Sequence, residues 1–72
     1  MDEQRKCLLE FERFYREAQA NKANAVKDGF TSEYYIHSGI LIGLCFAYRM
    51  LFDISYAEFF ADMERLNYLN NL

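Results

Sequence analysis

The chain has 72 residues, 53% of them apolar, with seven Phe, six Tyr, three Gly and no Pro. That composition excludes a disordered tail, a collagen-like chain and a Pro/Gly linker, and so few turn residues argue against a β-sandwich. Eleven acids against eight bases leave a net charge of −3, so the chain as a whole is no electrostatic trap for nucleic acid. A chain this short hides only about 60% of its unfolded surface, and a single helical domain over residues 1–72 is expected.

The first helix is expected over about 3–27. Cys7, Phe11, Phe14, Ala18, Asn21 and Ala25 recur at 4-3-4-3-4 spacing and define an apolar stripe, widened by Leu8 and Tyr15. Glu3, Lys6, Glu10 and Arg13 fall on the other side, and Asp2–Lys6 and Glu12–Arg16 stand at i,i+4 in the favourable order. Asp28-Gly29 ends the helix through a residue that takes positive φ.

The second helix is expected over about 32–53, with Thr31 or Ser32 as N-cap and Glu33 in the first turn. It is apolar nearly all round. Ile36, Ile40, Leu44, Ala47 and Leu51 make one stripe, while Ile42, Phe46 and Arg49 lie on another face. Gly39, Gly43 and Ala47 stand four residues apart, and each glycine costs about 0.8–1.0 kcal/mol relative to alanine. Close approach of another backbone is the return expected for them; a ligand notch is the sharper alternative. The charge-free run Tyr34–Tyr48 falls short of the about 20 apolar residues of a membrane span and reads as a core helix of a soluble protein.

The third helix, over about 55–70, opens on Ser55-Tyr-Ala-Glu58, a capping-box pattern. Tyr56, Phe59, Phe60, Met63 and Leu66 follow at helical spacing, with Asp62, Glu64 and Arg65 toward water. Asn67, Asn70 and Asn71 read as a fraying end. The expected architecture is all-α: an antiparallel helical hairpin plus a short third helix. A helix without a polar face needs covering on all sides, which one hairpin does not supply, so completion of the bundle by a homo-oligomer, first of all a two-fold dimer, is expected. The packing candidates are Ile36, Gly39, Ile40 and Ile42, with Gly43, Phe46 and Ala47.

Chemistry-bearing residues are sparse. His37 and Cys45 on one helix stand eight residues, about 12 Å, apart, too far to act as base and nucleophile or to share a zinc ion. His37 reads as a half-buried residue bonded to backbone or to Glu33, and Cys7 and Cys45 as inert thiols. Glu58 and Asp62 read as a solvated pair neutralised by Arg65. None of the common nucleotide, hydrolase or metal motifs occurs. No catalytic residue, metal ligand or cofactor is expected.

With two cysteines and an N-terminus that does not read as a signal peptide, a reducing cytoplasmic setting is expected, away from the membrane. The expected function is non-enzymatic: an oligomeric inhibitor, adaptor or regulator that binds a larger protein. Its candidate contacts are Tyr34, Tyr35, Tyr48 and Arg49, with Tyr56 and Tyr68, since tyrosine and arginine dominate such surfaces. Two alternatives stand beside it. One is a DNA-binding regulator built on a helix-turn-helix-like break at residues 52–60, opposed by five acids and two bases in residues 29–72. The other is a small-ligand or nucleotide binder using the Gly39–Gly43 notch. The run Glu33-Tyr-Tyr-Ile-His-Ser-Gly-Ile-Leu-Ile-Gly-Leu resembles an aromatic, glycine and leucine pattern of short helical proteins of phages and other mobile elements. The resemblance spans a dozen residues and implies a regulator of that type, including inhibitors of host defence.

Overall fold

The structure, a computed structural model, describes residues 2–72. Helix α1 spans Glu3–Asp28, α2 spans Thr31–Phe52 and α3 spans Tyr56–Asn70. The expected all-α hairpin with a short third helix is present. Helix α1 packs on both α2 and α3, whereas α2 and α3 touch each other least.

Local chemistry sets the ends. Asp2 caps α1, its Oδ1 accepting from the Arg5 backbone N–H at 2.7 Å. It does this instead of pairing with Lys6 as the i,i+4 spacing implied. Gly29 adopts φ 74°, with Phe30 N–H donating to the Ala25 carbonyl and Gly29 N–H to that of Val26. This is the paired-bond glycine cap, and it makes the α1–α2 link a tight turn. The expected Thr31 or Ser32 cap is not used: Phe30 is the N-cap of α2 and makes no side-chain cap bond. The glycine turn fixes the chain direction two residues earlier than a hydroxyl cap would. Ser55 caps α3 as expected, accepting from Glu58 N–H at 3.2 Å, and its hydroxyl donates to Glu58 Oε1.

The core lies where the three helices meet. Phe59, 0% exposed, is surrounded by Leu9 and Tyr15 of α1, Tyr48 of α2, and Met63 and Leu66 of α3. The rings form a connected cluster: Tyr48 lies 4.6 Å from Phe52, 5.2 Å from Phe11 and 5.3 Å from Phe59, centroid to centroid. Tyr15 lies 5.3 Å from Phe59. Such tilted pairs favour edge-to-face contact.

Three expectations about faces need correction. Helix α1 buries Leu9, Glu12, Tyr15, Ala18 and Ala25, with Leu8, Phe11 and Lys22 half-buried beside them, while Cys7, Phe14 and Asn21 are exposed. Two overlapping apolar stripes were available to this helix. The docking of α3 against the Leu9–Glu12 flank selects the one that includes Leu8 and Tyr15. Second, α2 is not a core helix within the chain, because Tyr48 alone of its residues is buried. Third, Asn67 and Asn70 do not fray: Asn70 Nδ2 donates to the Leu9 carbonyl and to Glu12, and Asn67 Nδ2 to Glu12.

Candidate functional site

The inward side of α2 is filled by Leu41, Leu44, Cys45, Tyr48 and Phe52, which meet the core. Its outward half presents Tyr35, Ile36, Gly39, Ile42, Gly43, Phe46, Ala47, Met50 and Leu51, all exposed and none charged. At 100° per residue these positions cover about half the helix circumference. Leu51 is 75% exposed, Ile42 70% and Phe46 59%, so most of each side chain lies in water. Soluble monomers rarely show a contiguous apolar patch of this kind without a use for it. By length and composition α2 also passes as a membrane-crossing helix, but here its inner side is occupied by α1.

The glycines belong to this outward half. A Cβ built at Gly39 or Gly43 meets nothing within 4 Å. Neither glycine therefore serves the α1–α2 contact, and the helix-propensity cost of about 0.8–1.0 kcal/mol at each has no return inside the chain. Of the packing candidates, Ile36, Gly39, Ile42, Gly43, Phe46 and Ala47 are exposed together on this face, and Ile40 lies half-buried at its edge. Met50 and Leu51 complete it. Their helical spacing from Phe46 and Ala47 was the signal for including them.

The tyrosine and arginine candidates divide differently. Tyr35, Tyr56 and Tyr68 are exposed and Tyr34 is half-buried, its ring edge-on to Tyr35 at 5.4 Å and its face under Lys22 Nζ at 5.4 Å. Tyr48 is placed in the core. Its hydroxyl donates to Asp62 Oδ2 at 2.9 Å, and burial, the Asp62 hydrogen bond and the Asp62 charge push its pKa up to about 12. Asp62, expected in water, is accordingly half-buried, with Arg65 3.5 Å away. Arg49 stacks 3.6 Å over the Tyr56 ring and donates from Nε to the Ile54 carbonyl. These two candidates therefore occupy each other and brace the α2–α3 turn, where Asp53 takes φ 51°.

A polar cluster escaped the sequence reading. Glu12 is 1% exposed and accepts from Arg16 Nε at 3.1 Å, Asn67 Nδ2 at 3.2 Å and Asn70 Nδ2 at 2.9 Å. Buried carboxylates are tolerated when hydrogen-bonded and paired in this way. An acid three residues from both Leu9 and Tyr15, on the apolar side of α1, was the available signal. The cluster joins α1 to the end of α3 and presents no vacant carboxylate.

The remaining groups do not assemble into a reactive site. Burial raises the pKa of the Cys45 thiol against the lowering effect of Arg49, which disfavours the thiolate. Burial, then the neighbouring Cys45, raises that of Tyr15. His37 Nδ1 and Ser38 Oγ are buried without a hydrogen-bond partner, so the expected His37 bond is not made at that atom. Among the described residues no three His, Cys, Asp or Glu side chains converge on a common point. Comparison with protein-family models, with curated proteins and with solved structures gave no match for this chain.

Proposed function

We propose that this chain is a non-enzymatic interaction module whose working surface is the outward half of α2, acting as an inhibitor, adaptor or regulator by docking that face on another polypeptide in a reducing cytoplasm. The observation that carries the reading is the uncharged exposed face from Ile36 to Leu51, set on a hairpin whose α1 carries most of the chain's charged residues. The face suits helix-against-helix recognition, with Phe46, Met50 and Leu51 as anchors and the glycines as the point of closest approach. Tyr35 and Tyr56 border it as partly wet contacts. The phage or mobile-element type of regulator implied by the Glu33–Leu44 run agrees with a small chain whose resources are surface rather than chemistry.

The test is site-specific photo-crosslinking in the cells that make the protein, with a benzophenone side chain placed at Phe46 in one sample and at Arg13 in another. Polypeptide adducts from position 46 and none from position 13 are expected. Adducts to lipid alone, or to nothing, from position 46 would overturn the reading.

A further inference from the structure

We propose that the occupant of the α2 face is a second copy of this chain, the two α2 helices crossing at Gly39 and Gly43. This rests on the interaction reading above and goes beyond it by naming the partner. Three observations carry it.

The first is area. The chain exposes 5313 Å², whereas a compact monomer of 8.6 kDa is expected to expose about 4,700 Å². The excess is roughly 600 Å². The exposed fractions of Ile36, Ile42, Phe46, Met50 and Leu51 correspond to about 600 Å² per copy, so two copies face to face bury at most about 1,200 Å² through these side chains, the lower bound of a stable specific interface. The α2 face thus offers, when fully covered, the area that a small dimer requires.

The second is self-complementarity. A two-fold interface sets a patch against itself, so any charge in the patch is opposed by its own copy or must find an opposite charge within it. From Ile36 to Leu51 the outward half of α2 holds no charge, while the chain carries a net −3. Two copies can meet on this face without like-charge repulsion across the contact, and the acidic remainder points away. The same acidity disfavours an anionic bilayer as the occupant, since interfacial helices use Lys and Arg on their polar side.

The third is the pair of glycines. Open space surrounds both positions within one chain, so their use is supplied only by a body outside it. A second helix axis brought close over Gly39 and Gly43 lets Phe46 and Ile36, about one turn to either side, pack against the partner helix.

The experiment is sedimentation equilibrium of the full chain from 1 to 200 µM, on wild type, Phe46→Glu and Gly43→Leu, with circular dichroism on each. Wild type is expected to dimerise. Phe46→Glu, which places a charge in the dry centre, should weaken the dimer by about 100-fold or more. Gly43→Leu meets no neighbour in the single chain and replaces glycine by a better helix former, so it should be at least as helical as wild type, yet monomeric, and its melting temperature should no longer depend on protein concentration. A wild type that stays monomeric at 200 µM overturns the proposal, and so does a Gly43→Leu dimer of undiminished affinity. Co-sedimentation of wild type with phosphatidylcholine vesicles in place of self-association overturns it in favour of lipid. The two readings fail separately: adducts from position 46 to other polypeptides, with a monomeric wild type, refute the second copy and retain the docking face.

Discussion

Removing the carboxylate of Glu12 should detach the end of α3 from α1. At 1% exposure the side chain has almost no water to fall back on, and its oxygens take three donors, from Arg16, Asn67 and Asn70. Arg16 is about half exposed and would return to solvent at little cost. Asn70 would keep its second bond, to the Leu9 carbonyl at 3.0 Å, and Asn67 would lose its partner. Hydrogen bonds to a charged group contribute about 1.5–3 kcal/mol each, but Asn67 and Asn70 are only half-buried, so water recovers part of the two bonds they lose. Discounting Arg16 and that recovery, the Glu12→Ala loss is about 2–4 kcal/mol, a large share of the roughly 4–11 kcal/mol total for a chain of this length.

At about 4–8 °C per kcal/mol for so small a domain, that loss should lower the melting temperature by about 8–30 °C. Glu12→Gln, which keeps one acceptor oxygen, should lose about half as much. The decisive measurement is a urea-unfolding cycle of Glu12→Ala, Asn70→Ala and the double variant. It should be run at one protein concentration, because self-association makes apparent stability concentration-dependent. A coupling of about 1–3 kcal/mol is expected for residues in one polar network. A coupling within about 0.5 kcal/mol of zero would refute the account of Glu12 as the clamp between α1 and α3.

Tyr48 supplies an alkaline test. Its folded pKa of about 12 lies above the ordinary 10.0, so its contribution is complete below pH 10 and is lost as pH rises toward 12. Wild type should lose about 1–2 kcal/mol more than Tyr48→Phe over that window, allowing for screening at half-exposed Asp62; equal slopes would count against the buried Tyr48–Asp62 bond. At the turns, Gly29→Ala forces a side chain into φ 74° and should cost about 1 kcal/mol by thermal melt. Asp53→Gly, relieving φ 51°, should gain about 0.5–1 kcal/mol in the same melt. Cys7 is exposed and Cys45 half-buried with a raised pKa, so at pH 7 a disulfide reagent should titrate Cys7 well before Cys45; equal rates would show that the α1–α2 seam opens readily.

The helices and most of their ends were legible because local rules govern them. Asp28-Gly29 and the Ser55–Glu58 cap act within a few residues and left the same trace in sequence and in structure. Rotation about each helix axis was not local. In α1 the 7-11-14-18 and 8-11-15-18 stripes are nearly equal in apolar content, and only the docking of α3 on Leu9 and Glu12 distinguishes them. The asparagines at the end of α3 looked like fraying because their acceptor, Glu12, lies 55 and 58 residues away in the chain. Polar pairs of that separation carry no periodic signal.

The site was legible in kind rather than in residue. An all-round apolar α2 said that something must cover it, but periodicity cannot rank the sides of a helix that is apolar on all of them. The ranking comes from the largest rings. Tyr48 offers a broad apolar body and a hydroxyl that reaches Asp62 at the core boundary, so it stacks among Phe11, Phe52 and Phe59 and turns that side of α2 inward. Once Tyr48 is inward, Leu41, Leu44 and Cys45 follow on the same side, and Gly39, Gly43, Phe46 and Met50 turn outward by helical geometry alone. The tyrosine that the sequence pointed to as a surface contact thus selects which face the protein presents. Replacing Tyr48 should perturb the outward face through the register of α2 rather than by removing a contact from it.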